Sequence, residues 1–198
     1  MRELEAAHDL DPLSDGILTG LAWSHIGAGE YERAVEECRA ALALDPQDWS
    51  NYSYLSMAQL KLGRYDEALA NAKTAYELER TGSNLAMLGA VQAYAGNRRE
   101  AETILRDLRA APASFNVSKY DLAVVHTALG ERDEAFRLLG EEVATLSVDL
   151  LSIRIDPMLD PLREDPRFPP LEARYNFPPD PRRGGATPAT STASGRAL

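Results

Sequence analysis

A glycine followed five residues later by an alanine recurs four times in this chain, and this repeat constrains the fold more than any other feature. Successive alanines lie 34, 33 and 34 residues apart. Around each anchor, apolar residues recur at intervals of three and four, the period of amphipathic helices. The glycine suits the left-handed C-cap of one helix, and the acidic residues after it suit the start of the next. The sequence therefore predicts an all-α chain of helix pairs, with anchors at Gly29 and Ala34, Gly63 and Ala68, Gly96 and Ala101, and Gly130 and Ala135.

A helix–turn–helix period of 34 residues is that of tetratricopeptide (TPR) repeats, and the segment from Gly29 to Pro46 resembles that family's pattern. Small residues recur where the family packs its two helices together: on the first helix these are Ala22, Ser56, Gly89 and Ala123, and on the second the four anchor alanines. The resemblance covers about residues 1–149. It implies a right-handed α-solenoid of repeats at 15–48, 49–82, 83–115 and 116–149, closed by a short helical C-terminal cap.

Residues 1–14 match the second helix of a repeat whose first helix is missing. Leu4, Ala7 and Leu10 stand where the next repeat has Cys38, Ala41 and Leu44, and an Asp-Pro pair follows in both places. A lone second helix would expose the face that its partner should cover. We expect that either Met1 is not the natural start of the protein or the chain is the tail of a longer repeat protein. The uncovered face would then pack against a missing N-terminal domain or against a second copy of the chain.

Three Asp-Pro pairs mark a change of pattern after residue 149, and residues 150–179 are interpreted as the cap. Asp-Pro favours a helix start, with Asp as N-cap and Pro in the first turn. Helices are expected near 142–153, 161–164 and 169–175, and residues 180–198 are expected to be disordered. The apolar residues expected to cover the end of the last repeat are Leu159, Leu162, Phe168, Leu171 and Tyr175.

The segment from Ile155 to Phe168 is also similar to the closing segment of TPR regions in bacterial multidomain signalling proteins. Those regions commonly follow serine/threonine kinase, winged-helix or adenylate-cyclase-type regulatory domains. The resemblance implies the regulatory part of a larger bacterial signalling protein.

Charge and composition exclude several classes of function. A formal net charge of −10 argues against nucleic acid and anionic lipid as partners. Residues 1–5 include two glutamates where a signal peptide would need a basic and then an apolar stretch, and no apolar run approaches the roughly 20 residues of a spanning helix. We therefore expect a cytoplasmic protein without membrane insertion. One cysteine and three histidines leave little material for a metal site, and no catalytic motif occurs. We predict no enzyme activity, no cofactor and no metal; His25, His126 and Cys38 are interpreted as packing residues.

Binding is the function that remains. Stacked helix pairs form a concave surface lined by first helices, which repeat proteins use for recognition. Aromatic residues and methionine there suit capture of an extended or helical peptide, although several of these side chains could instead fill the space between repeats. The helical period places the following residues in or beside this groove: Thr19, Trp23, Ile26, Ser53, Tyr54, Met57, Met87, Ala90, Tyr94, Tyr120 and Val124.

Two functions stay open at this point. The first is a scaffold or adaptor that binds a protein or peptide in the groove. The second is a structural module for self-association or intramolecular docking, without an independent ligand. TPR domains that grip carboxylates use lysine, asparagine and arginine on their first helices, whereas the matching places here hold Thr19, Trp23, Ser50, Tyr54 and Met87. The sequence therefore favours a less charged ligand.

Overall fold

The computed structural model describes residues 3–4, 14–143 and 153–174. Glu3 and Leu4 are helical, and residues 1–2 and 5–13 of the predicted half repeat lie outside the described residues. So do most of the helix predicted near 142–153, Tyr175, and the predicted disordered tail.

The helices are α1 (Asp15–Ala28), α2 (Tyr31–Leu44), α3 (Trp49–Lys61), α4 (Tyr65–Leu78), α5 (Gly82–Tyr94), α6 (Arg98–Ala110), α7 (Lys119–Ala128), α8 (Arg132–Val143), α9 (Asp160–Arg163) and α10 (Phe168–Ala173), with 3-10 turns at Ala113–Phe115 and Pro157–Leu159.

The four anchor glycines end the first helix of each pair, as the sequence predicts. Gly29, Gly63, Gly96 and Gly130 have φ between 74° and 86°, a left-handed conformation that residues with a Cβ atom rarely adopt. At the first turn, the N–H of Gly29 donates to the carbonyl of Ile26, and that of Glu30 donates to His25. These bonds satisfy carbonyls at the helix end and reverse the chain into α2.

Small residues let the two helices of a pair approach closely. The four anchor alanines are fully buried. A Cβ atom on Gly89 of α5 would lie 2.8 Å from Cγ2 of Ile104 on α6, closer than such atoms normally come. The hydroxyl of Ser56 on α3 donates a 2.8 Å hydrogen bond to the carbonyl of Ala68 on α4. The packing that the small-residue pattern predicts is therefore present.

The first helices α1, α3, α5 and α7 lie side by side and form the inner surface of an all-α solenoid. The C-terminal helices α9 and α10 agree with the short helical turns that the Asp-Pro pairs predict. Asp156 caps the turn at Pro157, because its carboxylate accepts from the N–H of Met158 at 2.8 Å.

Residues 153–167, called the strap below, extend beyond the last repeat. Ile153, Met158, Leu159 and Leu162 are completely buried and join the same core cluster as residues of all four helix pairs. The expected covering of the last repeat is thus part of a longer path along the first helices.

Candidate peptide-binding groove

An open cavity of about 320 Å³ lies between the four first helices and the strap. Each first helix contributes side chains because its concave face repeats the same helical positions. The lining is Trp23 from α1; Trp49, Ser53, Tyr54 and Met57 from α3; Ser83, Asn84, Ala86 and Met87 from α5; Tyr120, Asp121 and Val124 from α7; and Asp156 from the strap.

Aromatic rings form one end of the open cavity. Trp23 and Tyr54 stack with their ring centroids 5.2 Å apart and their planes inclined by 27°. Both rings are half-buried, and burial raises the pKa of Tyr54, which keeps its phenol neutral. Trp49 is 39% exposed and is one of three large hydrophobic residues exposed among the described part of the chain. This end presents flat apolar surface to solvent.

The opposite end is built by a hydrogen bond between the solenoid and the strap. The hydroxyl of Tyr120 on α7 donates to Oδ2 of Asp156 at 2.6 Å, and both residues are buried. Burial raises the pKa of the Asp156 carboxyl, while its bonds from Tyr120 and Met158 act in the opposite direction. Burial, together with the adjacent carboxylate, raises the pKa of Tyr120 well above 10, so the phenol keeps its proton.

Further contacts hold the strap against the other first helices. The Tyr94 hydroxyl on α5 donates to the carbonyl of Met158 at 3.0 Å. Lys61 at the end of α3 forms an ion pair with Asp160 at 2.5 Å. Ile155 packs against Gly27 of α1, so closely that a Cβ atom added to Gly27 would lie 3.4 Å from the Cβ atom of Ile155. The strap therefore touches all four first helices, at the C-terminal ends of α1, α3 and α5 and at the N-terminal end of α7.

The strap is also fastened to α8. Arg167 pairs with Asp133 at 2.8 Å and lies over the ring of Phe136, with Cζ 4.3 Å from the ring centroid. A guanidinium over an aromatic face is attracted by the ring quadrupole. This contact fixes the end of the strap at the last helix pair.

Comparison with known proteins agrees with this architecture. One family model described as tetratricopeptide repeat matches residues 2–49 and 19–85, and a second model with the same description matches residues 117–141. Together these matches span more than half of the chain. The chain is a tetratricopeptide repeat protein. It is similar in fold to the crystal structure of TTC0263, a thermophilic TPR protein in Thermus thermophilus, with a TM-score of 0.59 and 24% identity over 79% of this chain and 87% of that one.

Seven of the predicted groove residues meet in the open cavity of this TPR protein. They are Trp23, Ser53, Tyr54, Met57, Met87, Tyr120 and Val124. Thr19 lies outside the cavity, where its hydroxyl accepts a hydrogen bond from Asn51 at 2.9 Å.

The structure places three predicted groove residues elsewhere. Ile26 and Ala90 are 1% and 0% exposed and belong to the core, so neither presents a surface to a ligand. Ile26 packs inward because α2 and the strap cover the end of α1. Tyr94 is half-buried beneath the strap and bonds to it rather than lining the open cavity.

Sequence reasoning missed several residues of the open cavity. Trp49 lies four positions before Ser53, on the same helical face, so the i, i+4 rule could have found it. Ser83 lies four positions before Met87, and the same rule applies. Asp156 could not have been found, because its place depends on the path of the strap and not on the repeat pattern.

The two repeat histidines occupy equivalent structural positions. His25 and His126 are buried, and their Nδ1 atoms lie 2.8 and 2.6 Å from Glu30 and Glu131, the residues that follow the anchor glycines. Each pair ties the end of a first helix to the turn after it. Cys38 is likewise fully buried, and burial raises the pKa of its thiol to about 12, which keeps it in the unreactive protonated form.

In the part of the chain that the structure describes, no three His, Cys, Asp or Glu side chains are grouped so that they could hold a metal ion. Over the same residues, every helix falls short of the length and apolar character that crossing a membrane requires.

Proposed function

We propose that this protein is a scaffold or adaptor that binds a peptide or helix of a partner protein in the open cavity. Tetratricopeptide repeats generally mediate protein–protein interaction. The observation that carries the proposal is the aromatic end of the cavity, where Trp23 stacks on Tyr54 and Trp49 is exposed. Tryptophan and tyrosine contribute much of the binding energy of interfaces when a partner buries them.

The shape of the cavity suits a segment rather than a flat surface. Four first helices border it on one side and the strap borders it at one end, so a bound segment would cross the helices in turn. Met57 and Met87 lie on the two central first helices, between the aromatic end and Tyr120. Met57 is buried in the core, whereas Met87 is half-buried, and its flexible thioether can adjust to apolar side chains of a ligand.

We further propose that the protein is the cytoplasmic, regulatory part of a larger bacterial signalling protein. The resemblance of the strap to the closing segment of such TPR regions supports this. In that setting, occupancy of the open cavity would report the presence of a partner to a catalytic or DNA-binding domain elsewhere in the chain.

The groove function is tested by peptide selection on the immobilised full chain, followed by calorimetry with Trp23→Ala and Trp49→Ala. Both substitutions are expected to weaken binding of the selected peptides by at least about tenfold, the loss of a typical aromatic anchor. Tyr65→Ala removes an aromatic ring that is 46% exposed outside the cavity and serves as the matched control. Equal binding by all three variants would contradict the proposal.

The second candidate function is intramolecular docking or self-association without an independent ligand. The strap favours it, because the chain's own residues already fill part of the concave surface. Light scattering over a range of concentrations separates self-association from the groove function. A strictly monomeric chain that selects no peptide would leave docking within the chain as the remaining role.

A further inference from the structure

We propose that the open cavity selects peptides with an arginine side chain, which would enter between the aromatic end and the carboxylates at the opposite end. The inference rests on the proposed function and names the chemistry of the ligand. Its basis is the charge of the cavity, the bonding of Asp156 and the stacked aromatic pair.

The charged groups that line the cavity have one sign. Asp121 and Asp156 are carboxylates, and no lysine, arginine or histidine stands among the described residues that line it. The chain as a whole carries a net charge of −10. The field in such a cleft attracts a cation and repels an acidic peptide.

Asp156 makes no ion pair within the part of the chain that the structure describes. Its oxygens accept from two neutral donors, the Tyr120 hydroxyl at 2.6 Å and the Met158 N–H at 2.8 Å. The nearby Arg163 directs its guanidinium elsewhere, to Oδ1 of Asp160 and to the backbone carbonyl of Asp156. Arg163 lowers the pKa of the Asp156 carboxyl through its charge but forms no ion pair with it. A buried carboxylate without an ion-pair partner is costly, and a ligand cation that reaches the end of the cavity would relieve that cost.

The aromatic pair favours arginine over lysine as that cation. A guanidinium is planar, stacks on aromatic faces and sheds water more readily than an ammonium group. The Trp23 and Tyr54 rings are half-buried and stacked, so they present a ready surface for the stem and plane of an arginine. Its five N–H donors could then meet carboxylate oxygens in bidentate fashion.

The test is a selection of random dodecapeptides on the immobilised full chain, with calorimetry on the enriched peptides. Arginine is expected to be enriched, and replacing it by citrulline should weaken binding by at least about tenfold, the value of a charge-assisted hydrogen bond. Citrulline keeps the shape and removes the charge. Raising the salt concentration should weaken the arginine peptides more than their citrulline counterparts.

Protein variants supply the other half of the test. Asp121→Asn and Asp156→Asn keep the side-chain shape and should each reduce the preference for arginine over citrulline. Asp66→Asn removes an exposed carboxylate on α4 outside the cavity and should leave the preference unchanged. Thermal melts of the three variants verify that each is folded, and Asp121→Asn carries the test if Asp156→Asn loosens the strap.

The outcomes separate this inference from the proposed function. If enriched peptides depend on Trp23 but are neutral or acidic, or bind equally well with citrulline, the arginine inference is overturned and the groove function stands. If no enriched peptide depends on Trp23, the groove function fails and the inference fails with it.

Discussion

Two tyrosines fasten the strap, and they differ in what they bond. Tyr120 donates to a buried carboxylate, whereas Tyr94 donates to the backbone carbonyl of Met158. Tyr120→Phe should lower the free energy of unfolding by about 1.5–3 kcal/mol, because it removes a donor from a group that carries charge. Tyr94→Phe should cost only about 0.5–1.5 kcal/mol, since its acceptor is neutral. Urea unfolding of both variants measures the difference; a larger loss for Tyr94→Phe would contradict this account of the strap.

The carboxyl of Asp156 should also make stability depend on pH. Burial raises its pKa above the ordinary 3.8, although the Tyr120 hydroxyl and Arg163 oppose the shift and Asp160 adds to it. A carboxyl with a higher pKa when folded contributes stability that is complete at acid pH and is lost as pH rises through the folded-state pKa. An asparagine at this position does not titrate and therefore loses no stability as pH rises. The free energy of unfolding of Asp156→Asn should thus increase relative to that of wild type as pH rises.

Urea unfolding of the two proteins at a series of pH values tests this. Other carboxyls change stability with pH in the opposite direction: hydrogen bonds from Arg137 and Arg167 lower the pKa values of Glu134 and Asp165 to about 2. Both proteins contain these groups, so their effect cancels when the two free energies of unfolding are subtracted. A difference between the two proteins that does not change with pH would mean that Asp156 titrates at the same pH folded and unfolded.

The sequence correctly predicted which side chains line the open cavity only where the helical repeat alone determines whether a side chain is buried. Trp23, Tyr54 and Met57 line the cavity because a helical period fixes the direction of a side chain. Ile26 and Tyr94 share that direction but lie near the ends of their helices, where the strap covers the surface. Their environment is set by residues more than 60 positions away in the chain, and no local pattern encodes such a contact.

At the scale of the helix, the contact between α3 and α4 offers a direct test of the small-residue rule. Ala68 is fully buried and lies against Ser56. Ala68→Leu should destabilise the protein by about 1–3 kcal/mol through overpacking, measured as a lower melting temperature. Ala70→Leu adds the same atoms to an exposed position of α4 and should have little effect. Equal melting temperatures for the two variants would count against this packing.

The helices themselves follow from local signals. Each anchor glycine marks the left-handed end of a first helix, and Asp156 with Pro157 marks the start of the turn in the strap. These features depend on a few adjacent residues, which is why the sequence reveals them. The route of the strap depends instead on apolar side chains finding a distant surface.

For the whole molecule, the strap changes how the repeats depend on one another. Each unit of a solenoid normally contacts only its neighbours, so its stability is a sum of nearest-neighbour terms. Here one segment contacts α1, α3, α5 and α7 together. We therefore expect the four helix pairs to unfold in one transition.

Loosening the strap should reveal the behaviour of an ordinary solenoid. The double substitution Tyr94→Phe and Tyr120→Phe removes two hydrogen bonds between the strap and the first helices. Its urea transition should be broader than that of wild type, with a smaller slope, because the helix pairs become able to unfold separately. An unchanged slope with a lower midpoint would show that the strap adds stability without coupling the repeats.

The placement of the tryptophans has an optical consequence. The chain has two, Trp23 and Trp49, and both line the open cavity. Indole emission responds to the polarity around the ring, and all of the tryptophan fluorescence of this protein originates at the open cavity. If a peptide binds there as proposed, the change in tryptophan emission should report its binding without a label.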